Sequence, residues 1–91
     1  MESEATDGPV VTLLTRDGCA MCVRARAELE HLCVELGAVL EVVDVDVAED
    51  RELRAEYGDT LPVVLLQGAE HSYGEVDGAR LRADVARLRV G

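Results

Sequence analysis

Apolar positions fall in short runs and stripes whose period changes along the chain. Val10-Val11-Thr12-Leu13-Leu14 is nearly continuous and rich in β-branched residues, the pattern of a strand buried on both faces of a parallel sheet. Arg16-Asp17-Gly18 breaks the run. From Cys19 onward the spacing is helical: Cys22, Leu29 and Leu36 fall seven apart, with Ala25, Leu32 and Cys33 on neighbouring positions. Arg24, Arg26, Glu28, Glu30 and Glu35 belong largely to the opposite side, and Gly37 stands where a helix should end. Val39 to Val47 reads as a second strand with Asp44 and Asp46 interleaved. Asp50 is placed to cap a short helix reaching about Tyr57, which Gly58 terminates.

Thr60-Leu61-Pro62 leads into a third strand, Val63 to Leu66. Gln67-Gly68 marks a tight turn, and Glu70 to Glu75 reads as a shorter, more polar strand returning antiparallel. Asp77 opens a final helix whose buried stripe is Leu81, Val85 and Leu88. The order β-α-β-α-β-β-α predicts an α/β domain over residues 10–91: a four-stranded mixed sheet with helices on both faces. Residues 1–9 read as a flexible acidic leader.

Composition narrows the function. At 91 residues one domain is expected, and 48% hydrophobic content is too high for a disordered chain. Phe and Trp are absent, so Val and Leu must fill the core. The net charge of −10 argues against nucleic acid and against an anionic membrane surface. No apolar run approaches the ~20 residues of a membrane span, and the acidic N-terminus has no signal-peptide pattern. The expectation is a cytoplasmic monomer. All nine basic residues are Arg, and Lys, Ile and Asn are missing, which reads as the codon bias of a GC-rich genome.

The chemistry concentrates in Cys19-Ala20-Met21-Cys22, at the junction of the first strand and first helix. Unpaired N–H groups and the helix dipole favour an anion there, so a thiolate is stabilised. The spacing lets two sulfurs meet in one helical turn, with Cys19 as exposed nucleophile and Cys22 as buried resolving thiol. Arg16, three residues earlier, adds positive charge nearby. Zinc sites use the same spacing but need a second ligand pair, which this chain lacks. Cys33 lies eleven residues past Cys22, about 16 Å along a straight helix, too far for a disulfide or a shared metal.

The run Leu14 to Cys22, followed by Thr60-Leu61-Pro62 and then Gly74 and Asp77, resembles glutaredoxins and small glutaredoxin-like proteins of the thioredoxin fold. The resemblance covers nearly the whole chain from Val10. It implies that Cys19 is the nucleophile, that Arg16 matches the family's basic residue, and that Pro62 is cis and faces the active site. The backbone of Leu61 would then pair with a bound thiol peptide as an added strand. Two departures stand out. Ala20-Met21 replaces the usual Pro-Tyr, and Tyr73-Gly74-Glu75-Val76-Asp77 keeps only one Gly and one Asp of the glutathione-binding Gly-Gly-x-Asp-Asp segment. The implied activity is thiol–disulfide oxidoreduction without a bound cofactor. Its substrates would be disulfide-containing proteins or small thiols, with glutathione or mycothiol as co-substrate and a thiol or reductase as reductant. Other classes are a redox-idle binding module, or an iron–sulfur cluster held through Cys19 across a dimer, as in some glutaredoxins.

Several residues have plainer readings. Cys33 is a core residue of the apolar stripe; Met21 fits either a substrate contact or surface packing. His31 reads as a surface residue near a helix end, and His71 as solvent-exposed on an edge strand. Asp44 and Asp46 read as polar strand-end positions, and Asp77 as a helix cap that is compatible with a ligand contact.

Overall fold

The computed structural model describes residues 8–47 and 51–90. Its elements are β1 (Val10–Thr15), α1 (Ala20–Leu36), β2 (Val39–Asp44), α2 (Arg51–Tyr57), β3 (Val63–Leu66), β4 (Ala69–Tyr73) and α3 (Gly78–Val90), in the expected order. The strands form one mixed sheet, β2-β1-β3-β4, in which β1 and β2 are parallel and the other pairs antiparallel.

The two-residue period of β1 divides the core. Val11 and Leu13 point to one face and pack with Val64 against Ala25, Leu29, Leu32 and Cys33 of α1 and Leu81 and Val85 of α3. Leu14 points to the other face and packs with Val45 and Val63 against Leu53 and Tyr57 of α2. Cys33 is buried in the first cluster, and burial pushes its thiol pKa up, as expected of a core cysteine.

Turn chemistry sets the element ends. Gly37 caps α1 at φ 67°, and Ala38 N–H donates to Cys33 C=O at 2.9 Å, closing the helix. Gln67 and Gly68 both have positive φ, 53° and 85°, giving the β3–β4 hairpin the twist its strands need.

Five expectations are corrected. The second strand ends at Asp44 rather than Val47, because Asp44 Oδ1 accepts from the N–H of Asp46 at 2.8 Å and of Val47 at 3.2 Å, curling the chain into a turn. Leu88, assigned to the buried stripe of α3, is exposed, bordering open pockets beside the β3–β4 hairpin. Pro9, assigned to the leader, is tied to the fold: its carbonyl accepts from Val39 N–H at 2.8 Å. The fourth strand spans Ala69–Tyr73 rather than Glu70 to Glu75, ended by Gly74 at φ 82°. The Asp50 cap and residues 1–7 of the leader lie outside the described residues.

His71, expected in solvent, is buried. A bulge in β4 explains it: Glu70 opposes Leu65 and Ser72 opposes Val64, so His71 is an extra residue and the alternation slips. Its Nε2 lies 2.8 Å from Asp84 Oδ2, joining β4 to α3. Arg87 pairs with Asp84, and Arg80 donates to the His71 carbonyl. The hydrogen bond from His71 holds the Asp84 carboxyl below its ordinary value, assisted by the Arg87 and Arg80 charges and opposed by desolvation. A depressed native pKa gives stability that is complete above the unfolded carboxyl pKa of about 4 and is lost as pH falls through the native value. Asp84→Asn is therefore expected to lower the urea midpoint at neutral pH and to flatten the acid limb of the stability curve. Parallel acid limbs in the two proteins would contradict this.

Candidate active site

The strand register assembles the site at one end of the sheet. Leu14 opposes Val63, and Val63 opposes Tyr73, so Thr15, Pro62 and Gly74 fall in line just beyond these pairs. Asp44 extends the row, paired with Thr15 across β1 and β2. The chain leaves this row at Thr15 and enters α1 through Arg16-Asp17-Gly18.

Cys19 is the N-cap of α1, with extended backbone at φ −95° and ψ 108°. Its Sγ accepts from the backbone N–H of Cys22 at 3.1 Å, taking one of the donors that a helix start leaves unpaired. Negative charge on this sulfur therefore has a hydrogen-bond donor and a helix terminus already aimed at it. Cys19 is half-buried, whereas Cys22 is only 2% exposed. Burial pushes the Cys22 thiol pKa up, as does the adjacent Cys19 sulfur, while hydrogen bonds from the Thr15 hydroxyl and the Arg16 backbone oppose the rise. One thiol is thus accessible at the helix start, and the other is enclosed. All three cysteines are free thiols.

The other sequence-identified residues separate. The Leu61–Pro62 peptide bond is cis, Pro62 is buried, and its carbonyl accepts from Gly74 N–H at 2.8 Å, tying the start of β3 to the end of β4. Leu61 packs its side chain into the α2-side core. Among the described residues, its N–H and C=O engage no other backbone group. Gly74 lines a groove of about 140 Å³ with Glu75 and Val76 on one wall and Met21, Arg24 and Glu28 of α1 on the other. Arg24 and Glu28 are exposed on the polar side of α1, as the sequence predicts, and with Met21 they recur at helical spacing along the groove wall.

Arg16 is engaged away from Cys19, and Asp77 caps α3 as its sequence position predicts. The Arg16 guanidinium binds Asp46, with Nε–Oδ2 at 2.7 Å and Nη2–Oδ1 at 3.2 Å, and Nη1 donates to Gly58 C=O at 3.3 Å. Its positive charge is thus compensated by Asp46 rather than directed at Cys19. Asp77 Oδ1 accepts from Arg80 N–H at 3.1 Å, the geometry of a cap on α3. Among the described residues, no group of three or more His, Cys, Asp or Glu side chains is placed to hold a metal ion. None of the described helices is long and apolar enough to cross a membrane.

Solved structures share this arrangement of strands and helices. Chloroplastic thioredoxin z superposes with a TM-score of 0.70 at 19% identity, over 93% of this chain and 81% of that one. A single-site mutant of thioredoxin from Halobacterium salinarum NRC-1 gives 0.65 at 23% identity, over 93% and 77%. At those identities the likeness establishes a thioredoxin-like fold, and a cysteine pair at its first helix is consistent with oxidoreductase chemistry. Sequence relatives reach further: uncharacterized proteins of Mycobacterium tuberculosis and Mycobacterium bovis are each 58% identical over 86 residues, 91% of this chain and 89% of theirs. Residues 10–86, which contain the cysteine pair, the Leu61–Pro62 bond and both walls of the groove, match the family described as Glutaredoxin-like domain (DUF836), and the chain belongs to that family.

Proposed function

We propose that the protein is a dithiol–disulfide oxidoreductase in which Cys19 attacks a disulfide and Cys22 resolves the resulting mixed disulfide. The observation that carries this reading is the asymmetry of the pair. Cys19 Sγ caps the helix and accepts from Cys22 N–H at 3.1 Å, while Cys22 is 2% exposed directly behind it. The Cys19 thiolate attacks a substrate sulfur, and one thiolate leaves. Cys22 then attacks Cys19, forming the internal disulfide and expelling the second substrate thiol. A reductant of the thiol or reductase class must restore the dithiol.

The substrate is a small-thiol mixed disulfide or a protein disulfide. The Leu61 backbone, paired with no other backbone group among the described residues, suits an extended segment added beside it. The groove between Met21, Arg24 and Glu28 and the Gly74–Val76 wall suits the remainder of a thiol. At about 140 Å³ it is smaller than typical small-molecule sites of roughly 300 Å³ or more. That size fits a substrate lying across the surface rather than one enclosed. Relatives at 58% identity come from mycobacteria, which favours mycothiol over glutathione as the small thiol.

The test is a thiol count. The reduced protein holds three cysteines. Exposure to a mycothiol-mixed or glutathione-mixed protein disulfide is expected to release the substrate's thiols and leave only Cys33 titratable after unfolding. Retention of all three thiols would sink the proposal.

A further inference from the structure

On the other side of α1's first turns from the groove lies a second pocket, of about 200 Å³, lined by Cys22, Thr15 and Asp44 together with Arg16, Asp17 and Arg26. Thr15 and Asp44 are register partners on adjacent parallel strands, so their side chains stand on the same face of the sheet, the face that α1 covers. Thr15 lines this pocket beside Cys22, and its hydroxyl opposes the rise that burial gives the Cys22 thiol pKa. Asp44 uses Oδ1 for the turn to Asp46 and Val47, while Oδ2 has no hydrogen-bond partner among the described residues. The charged neighbours are otherwise engaged: Arg16 is held by Asp46 and Arg26 by Glu30. Asp17 is exposed to solvent.

A buried thiol that must become a nucleophile has to release its proton, and the pocket beside Cys22 offers it a polar way out. We propose that Thr15 and Asp44 form the proton exit of Cys22, with Thr15 a catalytic residue and Asp44 the general base. This rests on the oxidoreductase reading and deepens it. As Cys22 attacks the mixed disulfide on Cys19, its S–H proton passes to the Thr15 hydroxyl, whose own proton passes to Asp44 Oδ2. The pocket is wide enough for a bridging water. The Cys19–Cys22 bond forms, the bond from Cys19 to the substrate sulfur breaks, and the departing thiolate takes its proton from solvent. The substrate disulfide is the oxidant, and no other is required.

Stopped-flow reaction of the full reduced chain with dithiobis(nitrobenzoic acid) separates the two steps, since each sulfur displacement frees one coloured thiolate. The first release reports attack by Cys19, the second attack by Cys22. Asp44→Asn keeps the Oδ1 acceptor of the turn, and Thr15→Val keeps the shape of the side chain. In both, the first release is expected at the wild-type rate, which also verifies an intact site. The second is expected to slow about a hundredfold at neutral pH, the lower range for a positioned acid–base group. In Asp44→Asn it should then recover about tenfold per pH unit as hydroxide replaces the lost base, and Thr15→Ser should restore the rate that Thr15→Val loses. Purely structural roles would produce neither the alkaline recovery nor the serine rescue. Wild-type second-release rates in Asp44→Asn and Thr15→Val overturn the proton exit and leave the oxidoreductase standing. A wild-type chain that gives no second release overturns both.

Discussion

Cys19→Ser is expected to reduce disulfide turnover to the uncatalysed background. The thiolate is the species that attacks a disulfide, and a serine hydroxyl at the same cap keeps the hydrogen bond from Cys22 N–H without supplying a nucleophile. Cys22 does not substitute for it, being 2% exposed and with a thiol whose pKa burial pushes up. Cys22→Ser should fail differently, because Cys19 still attacks and the mixed disulfide is not resolved from within. Mass spectrometry after challenge with a glutathione-mixed or mycothiol-mixed disulfide should therefore find no adduct on Cys19→Ser and one stable adduct on Cys22→Ser. Equal residual turnover in the two variants would contradict the assigned roles.

The largest stability effect is expected from Leu29→Ala. Leu29 is fully buried on α1, in the cluster that includes Val11, Leu13 and Val64 of the sheet and Leu81 and Val85 of α3. Truncating a buried leucine removes its transfer energy and leaves a cavity, together about 2–5 kcal/mol. A domain of this size has roughly 5–15 kcal/mol in total, so much of its stability depends on this one side chain. The chain contains no Phe or Trp, so no large aromatic ring stands ready to swing into the gap. Urea denaturation should show a lower midpoint with an unchanged slope, the mark of lost stability rather than a changed unfolded state. A cost below about 1 kcal/mol would mean that the core collapses around the missing atoms.

How much of this could be read in the chain depends on how local the cause is. The β1 run, the α1 stripe from Cys22 to Leu36 and the Gln67-Gly68 turn announce themselves because spacing and turn chemistry act within a few residues. The cysteine pair was legible for the same reason, since a strand breaking into a helix at Cys19 is a local event. What escaped depends on partners far along the chain. Nothing near Arg16 signals that Asp46 will take its charge, and nothing near Thr15 signals that Asp44 will stand beside it. Both follow from the β1–β2 register, which only tertiary pairing sets. Arg24 and Glu28 are exposed, as a charged stripe at helical spacing predicts, but nothing local shows that they border a groove. Here the loop from Gly74 to Val76 comes to meet them. His71 was misplaced because a polar residue on an outer strand normally faces water, whereas here a residue is inserted in β4 and its side chain turns inward.

That insertion also shapes which border of the sheet can accept company. β4 is an outer strand, and a regular one would offer a row of free amide and carbonyl groups to any extended chain. The irregularity between Glu70 and Ser72 interrupts that row, and the strand is only five residues long. Association along this margin is thereby discouraged, for a second copy of the protein as much as for an unfolded neighbour. In the proposed reaction, an extended substrate would instead pair along the short stretch beside Leu61, where backbone pairing leads to chemistry rather than to aggregation.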